Sequence, residues 1–234
     1  MRVSVAFTPA DIPEVPVAIA VDVLRATSTI CAALAAGFSS VDCVAEIDDA
    51  LARRAEGVLL AGERDCVRID GFDLGNSPAE IGAELRSGRL VLSTTNGTRL
   101  LVAAADRCER VLVGSLANLG AVAAAVRALA PEHVAILCAG VEGAFALDDA
   151  YCAGRLVEQL GGERADSAVA AAALVAQAPD ALARSSSAEN LRRAGLEEDV
   201  AWCAVEDRLD VVPAVVARKP RFVQVATLPP EPGA

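Results

Sequence analysis

Apolar runs of strand length alternate with helix-like patterns through residue 160 of the chain. The runs predict strands over residues 3–7, 17–23, 41–45, 58–62, 90–92, 110–115 and 133–138. Between them, apolar positions at helical spacing predict helices over residues 30–36, 48–56, 100–105, 118–130 and 148–160, with one more helix begun by Pro78. This alternation is typical of an α/β protein with a three-layer arrangement, in which a mainly parallel sheet carries helices on both faces.

The last third of the chain has a different pattern. It predicts helices over residues 166–177, 188–194 and 196–203, and only residues 211–216 and 222–225 look like strands. The proline-rich end after residue 228 is expected to fray. Because no repeat and no low-complexity linker interrupts the chain, residues 1–234 are expected to form a single α/β domain.

Composition narrows the class of protein. Hydrophobic residues make up 54% of the chain but aromatic residues only 3%, which suits buried parallel strands covered by helices with small side chains. The net charge of -11 argues against nucleic acid as the main partner. Seven cysteines without a C-x-x-C pair predict free thiols. No apolar stretch is long enough for a signal peptide or a membrane span, so we expect a cytoplasmic protein without a membrane partner.

The turn after the predicted strand 90–92 has the composition of an anion site. It reads Ser93-Thr94-Thr95-Asn96-Gly97-Thr98-Arg99 and leads directly into a helical pattern. Hydroxyl groups, a flexible glycine and the unpaired amides of a helix start can together bind phosphate. A Thr/Asn cap on an ordinary helix explains the same residues, and this stretch alone does not separate the two readings.

Other predicted strands end in similar chemistry. In open parallel sheets ligands bind beyond the carboxyl ends of the strands, so these residues are expected at one edge of the sheet. They are Asp22 with Arg25, Glu63 with Arg64, Thr94 to Arg99, Ser115 with Asn118, and Gly140 to Glu142. Carboxylates beside arginines in one cleft suggest a divalent metal, Mg²⁺, together with a phosphorylated or otherwise anionic small substrate.

Several known sites do not fit the sequence. The chain has no G-x-x-x-x-G-K and no G-x-G-x-x-G, which excludes a P-loop and removes the main signal for a dinucleotide fold. Leu24 stands where an aspartyl-phosphate motif would carry its second Asp. The single histidine, His133, precedes a predicted strand at the amino end, so we expect a structural or surface role for it.

Five motifs resemble those of the 2-phosphosulfolactate phosphatase family and occur in the same order along the chain. They are residues 22–30, DVLRATSTI; 61–64, AGER; 71–78, GFDLGNSP; 94–99, TTNGTR; and 138–140, CAG. The resemblance extends from about Val17 to Pro213. It implies a family-specific α/β fold and Mg²⁺-dependent removal of phosphate from 2-phospho-3-sulfolactate, a step toward coenzyme M. In one segment, residues 185–190, the chain lacks a histidine that the family often carries.

Roles for individual residues follow from the resemblance and the strand-end pattern. We expect catalytic roles for Asp22, Arg25, Glu63 and Arg99, with both arginines binding phosphate or sulfonate. Mg²⁺ ligands are expected among Asp22, Glu63, Asp73 and Asp149. Substrate contacts are expected from Arg64, Asn76, Ser77, Thr94, Thr95, Asn96, Gly97 and Thr98. Helix capping for Asp22, a turn role for Asp73 and a first-turn charge for Asp149 are the structural alternatives.

Three functions stay open at this point. The first is the Mg²⁺-dependent phosphatase acting on 2-phospho-3-sulfolactate, and the second is a phosphatase of the same fold for another small phosphorylated acid. The third is a non-catalytic sensor of an anionic metabolite. Homo-oligomerisation is also left open.

Overall fold

The computed structural model describes residues 1–82 and 87–228 of the chain. The strands, in chain order, are β1 (Arg2–Ala6), β2 (Val17–Val21), β3 (Ser40–Val44), β4 (Val58–Arg64), β5 (Val67–Arg68), β6 (Arg89–Ser93), β7 (Arg110–Gly114), β8 (His133–Cys138), β9 (Glu163–Arg164), β10 (Pro213–Lys219) and β11 (Phe222–Thr227).

The α-helices follow the strands in most of the chain. They are α1 (Ala26–Ala35), α2 (Ile47–Leu51), α3 (Pro78–Gly82), α4 (Gly97–Arg107), α5 (Leu119–Leu129), α6 (Leu147–Leu160), α7 (Asp166–Gln177), α8 (Ala181–Arg184), α9 (Ser186–Arg193) and α10 (Glu197–Cys203). Short 3₁₀ turns cover Pro9–Asp11 and Leu116–Asn118.

All strands belong to one large sheet in the order β5-β4-β6-β3-β11-β10-β7-β2-β8-β1-β9. Among the described residues, six of its ten strand pairings are parallel and four are antiparallel, so the predicted mainly parallel sheet is confirmed. The hairpin β10–β11 lies in the middle of the sheet and joins the parallel group β4-β6-β3 to the parallel group that begins with β7.

Side chains of β2 show how the helical layers cover the sheet. Val17, Ile19 and Val21 point into a core formed with α5, α6 and α7. Ala18 and Ala20 point to the other face, into a core formed with α1 and α4. Because successive side chains of a strand alternate between faces, one strand contributes to both cores. The predicted three-layer α/β class is therefore confirmed.

Differences from the predicted elements are mostly at the boundaries. Helix α1 begins at Ala26, earlier than predicted, because its polar first turn lacks the apolar spacing that indicates a helix. The helix predicted over 48–56 is shorter in the structure, and the two-residue strands β5 and β9 and the one-turn helix α8 were not predicted. The expected fraying after residue 228 lies outside the described residues.

Predictions about single residue types also have an outcome. All seven cysteines are free, as expected. His133 is the first residue of β8 and its Nε2 lies 2.8 Å from the Ser4 Oγ, in agreement with a structural role. In the part of the chain that the structure describes, no helix is long and apolar enough to cross a membrane.

Candidate active site

A cleft opens where the ends of β2 and β4, the turn before α4 and one side of α9 meet. The residues that line it include four carboxylates and one guanidinium. They are Asp22, Leu24, Arg25, Glu63, Asp65, Cys66, Asn76, Thr95, Asn96, Val141, Glu142, Ser187, Asn190 and Leu191. The structure therefore brings together the ends of separate strands, as expected for an α/β sheet.

Asp22 joins the end of β2 to the start of α1. Its Oδ1 accepts a hydrogen bond of 3.1 Å from the amide of Ala26, the first residue of α1. The main-chain amide of Asp22 donates to Thr27 Oγ1, which closes the turn. The expected helix cap is thus present, but it uses only one carboxylate oxygen. The other, Oδ2, makes no hydrogen bond to any described residue and remains available in the cleft.

Gly97 brings the start of α4 against this carboxylate. A Cβ atom on Gly97 would lie 2.5 Å from Asp22 Oδ2 and 2.5 Å from Ala26 Cβ, so only glycine permits the approach. The first amides of a helix carry partial positive charge, which favours an anion at this place. The carboxylate of Asp22 and any bound phosphoryl group would both experience this field.

Glu63 is held by three hydrogen bonds. Its Oε1 accepts from the amide of Thr95 at 3.0 Å, and its Oε2 accepts from the Thr95 hydroxyl at 3.3 Å and from the amide of Cys66 at 3.0 Å. Asp65 and Cys66 form the turn between β4 and β5 with positive φ values of 52° and 65°. Glu63 therefore fixes this unusual turn to the segment that precedes α4.

Two further carboxylates lie behind Asp22. Asp149 is at the start of α6 and accepts hydrogen bonds from the amides of Val23 at 2.9 Å and Gly140 at 3.0 Å. Asp148 accepts a hydrogen bond of 3.0 Å from the hydroxyl of Ser187, which lines the cleft. These contacts connect the ends of β2 and β8 to α6 and α9.

Burial shifts the pKa values of these three carboxyl groups upward, and the charges of neighbouring carboxylates add to the shift for Asp22 and Asp149. Burial raises the pKa of Asp22 to about 7; the Ala26 amide opposes the rise, and the charges of Glu63 and Asp148 add to it. Burial raises the pKa of Asp148 to about 6. The pKa of Asp149 lies well above its usual range because of burial and the charges of Asp148 and Asp22. These three carboxyl groups together have too little positive charge nearby, and a bound cation would supply it.

Arg25 lines the cleft from the first turn after β2. Its side chain is 3% exposed, and its Nη1 donates to Asp199 Oδ2 at 2.7 Å. The other oxygen of Asp199 accepts a hydrogen bond of 2.6 Å from the Ser77 hydroxyl. Ser77 therefore contacts the partner of Arg25 and does not line the cleft. The peptide bond between Leu24 and Arg25 is cis.

Asn76 also lines the cleft, and its side-chain oxygen is unusual. Asn76 is buried, and its Oδ1 has no hydrogen-bond partner among the described residues. The main-chain oxygen of Asn76 accepts from the Thr29 hydroxyl at 3.1 Å, which fixes this loop to α1. A buried oxygen without a donor indicates that a cation, a water molecule or a ligand group completes the site.

The threonines of the turn before α4 separate into two kinds. Thr95 and Asn96 line the cleft. Thr94 and Thr98 are buried and bonded to each other: the Thr98 amide donates to Thr94 Oγ1, and the Thr94 amide donates to Thr98 Oγ1. The Thr94 hydroxyl therefore caps the first turn of α4, the Thr98 hydroxyl holds the Thr94 amide, and neither residue lines the cleft.

Three further residues expected at the site are also absent from the cleft lining. Arg64 donates to the main-chain oxygens of Glu63 and Ala45 and to Ser93 Oγ. Arg99 is 51% exposed and forms an ion pair with Glu46 at 2.9 Å. Asp73 accepts a hydrogen bond from the Leu60 amide at 2.8 Å and pairs with Arg54. Their expected roles in chemistry stay predictions that this arrangement does not support.

Sequence reasoning missed the contributions of α9 and α10. Asp199 follows two other acidic residues and looks like part of a solvated helix start, yet it is buried against Arg25. Ser187 and Asn190 line the cleft from α9. A serine-rich turn was a weak signal for α9, but no local signal separates Asp199 from its neighbours.

The cleft suits a hard cation better than a soft one. Most of the donors in its lining are oxygens, among them Asp22 Oδ2 and Asn76 Oδ1, and burial raises the pKa of the Cys66 thiol, which disfavours the thiolate that a soft metal would need. Mg²⁺ prefers oxygen ligands. Within residues 1–82 and 87–228, no three His, Cys, Asp or Glu side chains are arranged to hold a metal by themselves. Mg²⁺ usually keeps several waters and takes one or two carboxylates, so the donor set fits this ion.

Comparison with known proteins gives one consistent result. A family model described as 2-phosphosulpholactate phosphatase matches residues 5–218. The chain is 42% identical to a protein of Gloeobacter violaceus over 231 residues, covering 93% of this chain and 96% of the relative. It is 43% identical to a protein of Thermus thermophilus over 227 residues, with the same coverage of 93% and 96%. It is 45% identical to a protein of a Synechococcus species, covering 89% and 91%. All three relatives are named probable 2-phosphosulfolactate phosphatase.

Proposed function

The chain belongs to the family of 2-phosphosulfolactate phosphatases, and from this premise we propose that it hydrolyses 2-phospho-3-sulfolactate to 3-sulfolactate and phosphate with Mg²⁺ as cofactor. The observation that carries the proposal is the carboxylate of Asp22, which keeps one free oxygen in the cleft beside the start of α4. A negatively charged group on its own would repel a phosphate ester, so this oxygen needs a cation between itself and the substrate.

Support for Mg²⁺ comes from the chemistry of the donors. Asp22 would hold the ion through Oδ2, and the Asn76 side-chain oxygen is suited to the ion or to one of its waters. Glu63 and Asp149 are weaker candidates, because both oxygens of each already accept hydrogen bonds. When bound, Mg²⁺ would neutralise charge on the phosphoryl oxygens and on the carboxylates.

The residues of the chain itself would bind and orient the ester. The start of α4 directs partial positive charge toward the phosphoryl group, and Gly97 permits the close approach. Asn96 accepts a hydrogen bond from the Glu142 amide through its side-chain oxygen, which leaves its amino group to donate into the cleft. Glu63 holds Thr95 and so fixes the turn. A preorganised set of donors of this kind stabilises the charge of a phosphoryl transition state.

A phosphate-release assay tests the proposal. Purified protein is incubated with 2-phospho-3-sulfolactate, 2-phospholactate and other small phosphomonoesters, in Mg²⁺ or in chelator. We expect release from 2-phospho-3-sulfolactate at the highest kcat/KM, none in chelator, and recovery when Mg²⁺ is added back. Higher kcat/KM for another phosphorylated acid would replace the substrate assignment. Full activity in chelator would show that the reaction needs no Mg²⁺. Tight binding of 3-sulfolactate without any phosphate release would favour a sensor.

A further inference from the structure

Arg25 is the one cationic side chain among the residues that line the cleft in the described part of the chain. The other two arginines expected to bind anions lie elsewhere, Arg64 among main-chain oxygens and Arg99 on the surface. The remaining charged residues of the cleft are acidic: Asp22, Glu63, Asp65 and Glu142. The cleft therefore has an acidic part and one position, at Arg25, where an anionic group of a ligand can contact a guanidinium directly.

The guanidinium of Arg25 is held from one side only. Its Nη1 donates to Asp199, and no other guanidinium nitrogen donates to any described residue. Arg25 carries five N–H donors in a fixed plane, so the groups not used by Asp199 are left for a ligand. The ion pair also removes most of the mobility that a long side chain would have, because both partners are 3% exposed.

A second contact fixes the partner. Ser77 donates to Asp199 Oδ1 at 2.6 Å, and the same hydroxyl oxygen accepts a hydrogen bond of 3.2 Å from the Glu80 amide in α3. Asp199 is therefore held at both oxygens, by Arg25 on one side and by Ser77 on the other. The connected groups come from the start of α1, the loop before α3 and α10. We refer to Arg25, Asp199 and Ser77 as the Arg25 triad.

Burying an ion pair is a poor way to stabilise a fold, since the desolvation of both charges offsets their attraction. A buried guanidinium with free donors at the edge of a cleft is well suited to bind a planar or trigonal acid group. A substrate of the proposed type carries a phosphoryl group and, separately, carboxylate and sulfonate groups. The acidic part of the cleft, with its cation, suits the phosphoryl group, which leaves Arg25 for an acid group that does not react.

From these contacts, and resting on the proposed function, we infer that Arg25 binds the substrate carboxylate, the planar acid group that does not react, with Asp199 and Ser77 as its positioning residues. The Arg25 triad then determines specificity for phosphorylated acids over simple phosphate esters. Recognition by an oriented guanidinium requires the planar fork, and a lysine ammonium cannot replace it.

Two matched substrates test this inference. 2-Phospholactate and isopropyl phosphate differ only in that a carboxylate replaces a methyl group. We expect Arg25→Lys to raise KM for 2-phospho-3-sulfolactate and 2-phospholactate at least tenfold with little change in kcat. KM for isopropyl phosphate should stay within about twofold. Arg208→Lys is the matched control, because Arg208 packs on Trp202 at the end of α10, outside the cleft.

Ser77→Ala tests the positioning role without unpairing a buried charge. KM for the two acids should rise about two- to fivefold while KM for isopropyl phosphate is unchanged, and Ser77→Thr should restore the wild-type ratio. A residue that only supports the fold would change both kinds of substrate alike. Equal losses for acids and isopropyl phosphate in Arg25→Lys, or no loss at all, would overturn the inference.

A binding measurement separates this inference from the proposed function. Calorimetric titration with 3-sulfolactate and with inorganic phosphate needs no turnover. We expect Arg25→Lys to weaken 3-sulfolactate binding at least tenfold and to leave phosphate binding within about twofold. If the wild-type protein released no phosphate from any ester but Arg25→Lys changed the two affinities in this way, the proposed function would fail and the role of Arg25 in binding the acid group would stand. Loss of phosphate binding instead would place Arg25 at the phosphoryl group and contradict the inference.

Discussion

Two turns of this protein look alike in sequence and differ in what they contribute. The turn after β2, Asp22 to Thr27, and the turn after β6, Thr94 to Arg99, both combine polar side chains with an arginine at the start of a helix. The first directs both Asp22 and Arg25 into the cleft. The second contributes Thr95 and Asn96, while Thr94 and Thr98 cap each other and Arg99 pairs with Glu46 on the surface.

The difference lies in how each helix start is satisfied. At α1, one carboxylate oxygen of Asp22 caps the helix and the other stays free, because a carboxylate has two acceptors. At α4, the Thr94 hydroxyl accepts from the Thr98 amide in the first turn, and the Thr98 hydroxyl accepts from the Thr94 amide, so both hydroxyl groups are bonded within the turn. A capping carboxylate can therefore also serve a site, whereas a capping hydroxyl group that is buried inside its own turn cannot.

Replacement of Asp22 should have the largest effect. Asp22→Asn keeps the shape of the cap but removes the charge that would hold the cation, so we expect kcat to fall by about 10²–10⁴-fold, the range for loss of a central catalytic group. Steady-state phosphate release in Mg²⁺ measures it. Asp11→Asn, at an exposed residue bonded to Thr8, is the control and should behave as wild type. Normal turnover in Asp22→Asn would mean that Asp22 only caps α1.

The same variant should become more stable than the wild type in chelator as pH rises, because the wild type loses stability that the variant keeps. The folded-state pKa of Asp22 is about 7 against 3.8 for the unfolded chain, so the folded protein binds more protons between these values. Stability from this group is complete below pH 4 and is lost as pH rises toward 7. Between pH 5.5 and 8 the wild type should therefore lose up to about 2 kcal/mol that Asp22→Asn does not lose, at about 1.4 kcal/mol per pKa unit. Urea unfolding in chelator measures this difference.

Gly97→Ala tests the contact between the two turns. The new methyl group would meet Asp22 Oδ2 and Ala26 Cβ at 2.5 Å, so α4 or the Asp22 turn must move. We expect a stability loss of about 1–3 kcal/mol, as for other overpacked sites, together with reduced activity. Gly75→Ala is the matched control, because its nearest neighbour would be the end of the Glu80 side chain at 3.7 Å. Unchanged stability and activity in Gly97→Ala would show that the two turns are not tightly coupled.

Thr98→Val should separate capping from substrate contact. Loss of the hydroxyl group leaves the buried Thr94 amide without its partner, so we expect about 1–3 kcal/mol lower stability with kcat and KM almost unchanged. Thr98→Ser retains the hydroxyl group and should be close to wild type in both respects. The opposite result, lost activity at full stability, would place Thr98 in contact with the substrate.

Much of the fold was predictable because its signals are local. Apolar runs and helical spacing gave β8 and α7 with their observed bounds, and the alternation of elements gave the layered sheet. The central place of the β10–β11 hairpin was not predictable, because it depends on pairing with β3 and β7, which are distant in sequence.

The site was predictable at the level of strand ends and not at the level of side-chain partners. Asp22, Arg25, Glu63 and Thr95 meet because they lie at or just beyond the carboxyl ends of strands of one sheet, and that rule needs only the order of elements. Whether a polar side chain faces a ligand depends on what else it bonds. Asp199 in α10 is buried against Arg25, which lies far away in the sequence at the start of α1. The residues next to Asp199 give no signal of that contact.

The smallest effect is expected at Arg99. At this position the structures of the two turns differ most, although their sequences are alike. If Arg99 bonded to the phosphoryl group as Arg25 is inferred to bond to the acid group, Arg99→Lys would cost about 1.5–3 kcal/mol of binding, a loss of at least tenfold in kcat/KM. In the structure its side chain is half exposed and paired with the even more exposed Glu46, and surface ion pairs contribute about 0–1 kcal/mol. We therefore expect Arg99→Lys to change kcat/KM by less than about twofold, with Glu46→Gln equally mild as its matched partner. A tenfold loss in Arg99→Lys that Glu46→Gln does not share would mean that the Arg99 side chain moves into the cleft when substrate binds. The contrast between the two turns would then hold only for the free protein.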